Sequence, residues 1–255
     1  MGDAASTPPT GPVAQVAARL QDRADSLKPE QRYRAAFIET YCRTTIAVGK
    51  AVAAGTFEDG EWVERWDVVF AELFIAAHDA DLRGQVSEAP RPWRLSFDAP
   101  RSLPTLRRVL LGMNAHVNYD LPQSLLAVIG DDEFGDPELM ALRRRDHERI
   151  DGVLASRVGA EDKILAAEGR TMQDRLLRPF NRSGTKRFLR EARQKVWHNT
   201  VELQQARLKS PIEYDVRLGE LEVLSAAKIA DLLAPGPVLL RLAVAGFGVT
   251  LPPPA

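Results

Sequence analysis

The chain has one cysteine, Cys42, in 255 residues. That excludes an internal disulfide and any thiolate-rich zinc module. A metal site would have to draw on nitrogen and oxygen ligands. The sequence also lacks an excess of either charge. Its 34 Lys+Arg stand against 35 Asp+Glu, a formal net charge of −1. Nucleic-acid binders usually present a strongly basic surface, so no nucleic-acid partner is expected. No apolar run reaches the roughly 20 residues that a span needs. The longest, 238–249, is interrupted by Arg241. The opening MGDAASTPPTGP has neither the basic nor the apolar region of a secretory leader. A cytoplasmic location without stable membrane insertion is therefore expected. GxSxG, HExxH and a Gly-rich loop after a strand are all missing. Serine-hydrolase and dinucleotide-enzyme readings have no support.

Strict apolar/polar alternation is also missing, and with it any sign of a sheet. The period present is helical. Trp62, Trp66, Val69, Phe70, Leu73 and Phe74 recur at helical spacing within 59–81. Tyr33, Phe37, Tyr41 and Val48 do so within 30–54, and Leu106, Val109, Leu110, Met113 and Val117 within 105–130. Asp136-Pro137-Glu138 reads as an N-cap followed by proline at N1. Further helices fit 160–178, 183–208, 216–233 and 237–247. The expected fold class is all-α, a single bundle of about seven or eight helices. Residues 1–20 are expected to form a disordered tail, 21–249 the domain, and 250–255 a Pro-rich tail. Segment 84–104, with Pro90, Pro92, Pro100 and Pro104, reads as irregular. Pro122 is expected to kink or end its helix near Leu121.

Neutrality overall hides local bias. Residues 58–88 hold nine acids and two bases, and 175–195 eight bases and one acid. A basic helix there could neutralise a substrate anion, with Arg187 and Arg190 as candidates.

Histidine is scarce, at four residues, yet each has an acid one helical turn later. The pairs are His78/Asp81, His116/Asp120, His147/Asp151 and His198/Glu202. Side chains three or four apart share a helix face, so each pair could share a metal ion or orient one another. Convergence of several pairs would suffice for a zinc or iron site with open positions for water. A metal-free acid/base pocket or a structural hydrogen-bond network would satisfy the same residues. The segment GMNAHVNYDLP adds Asn114, Asn118 and Tyr119 around His116 and Asp120. Asparagine is a poor helix former, so two in one helix suggest side-chain tasks. Gly112 would let another group approach closely. Glu39 stands alone in the otherwise uncharged run 35–42, and Trp93 lies in the Pro-rich segment.

FIETYCRTT, the acidic helix with Trp62 and Trp66, GMNAHVNYDLP and RRRDHERID together resemble a domain-of-unknown-function family of high-GC bacteria. The resemblance covers roughly residues 30–210 and implies no chemistry. His116/Asp120 and His198/Glu202 also resemble the HxxxD and HxxxE metal steps of helical zinc-dependent phospholipases C and single-strand nucleases. This chain departs from that group in lacking a leader and a processed N-terminal Trp.

The function expected is a metal-dependent enzyme acting on a small molecule, most simply by hydrolysing an ester or phosphoester with metal-activated water. His116, Asp120, Asn118 and Tyr119 are the catalytic candidates. His78, His116, Asp120, His147, Asp151, His198 and Glu202 are the metal-ligand candidates. Asn114, Glu39, Arg187, Arg190 and Trp93 are the substrate-binding candidates. The alternatives are a dinuclear-iron oxidase and a non-catalytic, metal-free helical protein that binds or shapes an apolar molecule.

Overall fold

In the computed structural model the described residues are 11–167 and 178–254, and the described side chains are those of 11–154, 190–238 and 240–254. Within them the fold is all-α, with no strand. The helices are α1 (Pro12–Asp25), α2 (Ala35–Ala53), α3 (Gly60–Leu82), α4 (Arg91–Phe97), α5 (Thr105–Ala115), α6 (Leu121–Val128) and α7 (Asp131–Phe134). They continue with α8 (Pro137–Ala167), α9 (Arg178–Lys209), α10 (Pro211–Leu233) and α11 (Val238–Ala245).

Local chemistry sets several helix starts. Asp59 caps α3 by accepting from the Trp62 N–H at 2.9 Å. Asp136 Oδ1 accepts from the Glu138 and Leu139 N–H groups at the head of α8, as the Asp-Pro-Glu signature predicts. Ser210 does the same for Glu213 at α10, with Pro211 in the first turn.

Helices α2 and α3 form the centre, flanked by α1 on one side and by α5 and α6 on the other. Helix α9 packs against α6, α8 and α10, and α10 against α4 and α5. The largest fully buried side chains include Trp62, Phe74 and Trp93. At the α3 entrance, Asp146 of α8 is fully buried and accepts the backbone N–H groups of Glu58 and Asp59 at 2.9 and 2.7 Å. Charges at i,i+4 spacing, as in RRRDHERID, ordinarily decorate an exposed helix face. The aspartate of this segment instead fastens two helices together.

Three expectations about order change. Residues 12–20 belong to α1, which buries Val13, Val16, Ala17 and Leu20. Segment 84–104 contains a 3₁₀ turn (Val86–Glu88) and α4, whose prolines sit before and in its first turn, where no N–H is needed. The chain end is fastened rather than loose: Leu251 is buried and Pro252 O accepts from Arg217 at 2.7 Å.

Candidate functional site

The site is built on the rod formed by α5, a π-helical turn (His116–Asp120) and α6. Pro122 has no N–H to give the carbonyl four residues back, and its ring would crowd that carbonyl. The chain answers by widening. The Leu121 N–H bonds to His116 O, five residues back, and the rod continues into α6. A π-turn of this kind inserts a residue and rotates the side chains around it, and such turns are frequent at functional sites.

On one face of the turn, His116 Nδ1 lies 2.8 Å from Asp120 Oδ2. Trp93 Nε1, from α4, donates to the same oxygen at 2.8 Å. Trp93 can only donate, so Oδ2 accepts. Accepting from His116 as well puts the imidazole proton on Nδ1 and leaves Nε2 as a lone-pair acceptor. That Nε2 is buried without a hydrogen-bond partner. The imidazole stacks on Phe70, with ring centres 3.5 Å apart and planes 5° apart. Burial holds the His116 pKa below its ordinary value, against the opposing pull of Asp120. Burial pushes Asp120 up, against its bonds to His116 and Trp93.

His116 lines a cavity of about 110 Å³ between α2, α3, the π-turn and the described parts of α8 and α9. Its wall is mainly apolar, with Val63, Trp66, Phe70, Met113 and Leu154. Besides His116 its polar lining is Thr40, Tyr41, Thr44, Asp67 and Arg193. Asp67 is buried and its Oδ2 has no partner. Burial, with the nearby Glu64 charge, raises its pKa to about 7. Burial also pushes the Tyr41 hydroxyl well up, and the Asp67 and Asp120 charges push it further. Arg193 is ion-paired with Asp151 and donates to His147 O at 3.1 Å.

Asp67, Tyr41 and Arg193 were missed in the sequence. Asp67 had a signal: it follows Val63 by four on a stripe carrying Trp66 and Phe70. It was counted with the acidic run instead. Gly112 supports the wall. A Cβ there would lie 2.4 Å from Phe37 Cδ2, so only glycine leaves that ring its place.

The opposite face of the turn has another task. Asn114 and Asn118 both donate to Phe247 O, at 3.2 and 3.1 Å. Asn118 Oδ1 accepts from the Val249 N–H at 3.2 Å, and its Nδ2 bonds Asn114 Oδ1 at 2.7 Å. Asn199 of α9 repeats the pattern on Val249 O and the Leu251 N–H. Carboxamides thus satisfy an extended C-terminal segment much as a neighbouring strand would. Tyr119, a catalytic candidate, lies in an apolar cluster with Leu126, Leu203, Leu221 and Leu251.

The expected convergence of histidines on a metal does not occur among the described residues. They contain no group of three or more His, Cys, Asp or Glu side chains placed to hold a metal ion. Of the four expected pairs, His116/Asp120 alone forms there. Asp81 pairs with Arg34, while His78 Nδ1 lies 3.3 Å from Asp79. Asp151 pairs with Arg193, and His147 sits between Trp66 and Trp197 with neither ring nitrogen bonded. Glu202 pairs with Arg217 at 2.9 Å, and His198, exposed, lies 3.4 Å from Leu251 O. In each case a cation or backbone group from another part of the chain takes the partner that i,i+3 or i,i+4 spacing offered.

The other candidates scatter. Glu39 lies 3.5 Å from Arg32 on a half-exposed surface. Arg190 is exposed, and the Arg187 side chain lies outside the described residues. No described helix is long and apolar enough to cross a membrane.

No curated protein and no solved structure matches the chain, so the resemblance to phospholipases C and nucleases gains no support. A family model does match, over residues 13–235. The chain belongs to that family, described as a family of unknown function (DUF5995).

Proposed function

We propose that this protein binds a small, mainly apolar molecule in the cavity beside His116, holding its polar group through His116 Nε2 and Asp67. One observation carries the reading. Two buried polar atoms, His116 Nε2 and Asp67 Oδ2, have no partner, and both residues line one apolar cavity. Leaving such an atom unpaired costs about 1–3 kcal/mol, a cost that an occupant with a donor or acceptor removes. Cavities on the order of 150 Å³ hold benzene-sized molecules. The acceptor is His116 Nε2. Asp67, with a pKa raised to about 7, supplies a carboxyl donor at and below neutral pH.

A second reading extends the first to proton transfer on the bound molecule. It is favoured by the chain from Trp93 through Asp120 to His116, in which a carboxylate fixes the tautomer and direction of a base. The metal-hydrolase and iron-oxidase readings need converging ligands, and the described residues offer none.

Octanol titrated into the protein by calorimetry tests the proposal. Saturable one-to-one binding is expected, abolished by Val117→Phe, which fills the cavity, and weakened about tenfold by His116→Phe. Failure of the wild-type protein to bind either octanol or benzene would overturn it.

A further inference from the structure

The cavity beside His116 is one-sided in what it can still bond. Three of its donors are already engaged. Trp66 Nε1 donates to Ser124 Oγ at 3.1 Å, the Thr44 hydroxyl donates to Thr40 O at 2.9 Å, and Arg193 is turned to Asp151 and His147 O. The buried lining atoms left with neither a hydrogen bond nor an ion pair are His116 Nε2, Asp67 Oδ2 and the Tyr41 hydroxyl. Each of the three can accept a hydrogen bond.

Asp67 stands apart from the other buried aspartates. Among the described residues there are three, Asp67, Asp120 and Asp146. Asp120 is bonded by His116 and Trp93, and Asp146 by two backbone N–H groups and Arg149. No described cation pairs with Asp67, and the charge that bears on it is that of Glu64, a second acid. A buried carboxylate is costly unless a cation and its hydrogen bonds accompany it. The walls suit a cation too. Phe37, Tyr41, Trp66 and Phe70 bring four aromatic rings to the cavity, and ring faces attract an ammonium group.

We propose that the apolar ligand is an amine: its ammonium sits between Asp67 and His116 Nε2, and its hydrocarbon lies along the apolar wall of the same cavity. The proposal rests on the apolar-ligand reading above and adds the ligand's charge. An ammonium carries three donors and no acceptor, which matches this lining. An alcohol carries one donor and needs Asp67 in its protonated form. An anion would find Arg193 already paired with Asp151.

A dependence on pH follows. The ammonium favours the carboxylate of Asp67, whose pKa is otherwise raised to about 7. Binding below that pH displaces a proton, so affinity should climb about tenfold per unit up to pH 7 and then level. The other groups that face Asp67 are Glu64 on its own helix, Tyr41 on α2, His116 on the π-turn, and the Arg193–Asp151 pair of α9 and α8. Burial pushes Tyr41 up and His116 down, so both stay uncharged as Asp67 titrates.

The test compares octylamine with octanol by calorimetry on the full chain. At pH 8 octylamine is expected to bind roughly tenfold more tightly or better. Its affinity should fall about tenfold from pH 8 to pH 6, with about one proton released on binding at pH 6, while that of octanol holds or rises. In Asp67→Asn the two probes should bind alike, and the pH dependence of octylamine should vanish. Val117→Phe, which fills the cavity, should abolish both. Equal affinities in the wild-type protein at pH 8 would overturn the amine and leave the apolar cavity standing. An advantage for octylamine that survives Asp67→Asn or Val117→Phe would also overturn it, placing the ammonium elsewhere. Binding of no probe, benzene included, would overturn both readings.

Discussion

The two faces of the π-turn invite comparison, because they carry the same kinds of residue to opposite ends. On the Asn114/Asn118 face every polar atom discussed above has a partner, and the product is a fastened C-terminal segment. On the His116/Asp120 face one nitrogen is left over beside a cavity that also holds an unpaired Asp67 oxygen. A buried polar group that is fully bonded holds structure together, whereas one left unbonded is a cost that the fold carries for another purpose. The comparison also separates residues that the sequence presents as one motif.

The sharpest break targets the bonded face. Asn118→Ala removes three hydrogen bonds and leaves Asn114 Oδ1 and the Val249 N–H without the partner they had, while Phe247 O keeps Asn114. With about 1 kcal/mol for each bond and further cost for the groups left buried, urea unfolding should show a loss of about 4 kcal/mol. Octanol affinity of the folded protein should be little changed. If Asn118→Ala abolished binding without loss of stability, the division of labour would be wrong.

The cavity face should respond with the opposite sign. Asp67 has its folded pKa raised from 3.8 to about 7. Between those values the folded state holds a proton that the unfolded state has released. This group's contribution to stability is therefore full below about pH 4 and falls as the pH rises towards 7. Asp67→Asn abolishes that decline. Its advantage over the wild type should grow by about 3 kcal/mol between pH 5 and pH 8, as read by unfolding across that range. A constant difference would place an unseen partner on the carboxylate.

His147 gives the smallest effect and sharpens the distinction between two buried histidines. It is 1% exposed, neither ring nitrogen is bonded, and burial beside Arg193 holds its pKa well below the ordinary value. It does not line the His116 cavity. His147→Leu should therefore stabilise the protein by about 1 kcal/mol, seen as a raised Tm, and should leave octanol binding intact. Destabilisation would mean that its nitrogens are used.

Much of the fold could be read along the chain. The helical period of Trp62, Trp66, Phe70 and Phe74 and the Asp-Pro-Glu start of α8 are local features, and the structure follows them. The Pro-rich segment was misread because proline is tolerated ahead of a helix and in its first turn as readily as in a loop. Within the candidate site, GMNAHVNYDLP stands out along the chain, since two asparagines and a glycine in an apolar helix require an explanation. The His116–Asp120 bond also followed from spacing. The other three pairs did not, because Arg34, Arg193 and Arg217 come from elsewhere in the chain and outcompete a neighbour one turn away.

An all-α fold, the position of most helices and the stretch in which polar groups concentrate can be read from the order of residues alone. Those depend on interactions within a few residues, which periodicity and capping record. Long-range packing settles that Asn114 and Asn118 bind the C-terminal segment, that Asp81, Asp151 and Glu202 belong to arginines, and that His116 stacks on Phe70 beside an apolar cavity. Each of those outcomes is a competition between partners far apart in sequence. In a buried setting it is won by the best geometry and charge match, and no local spacing encodes that.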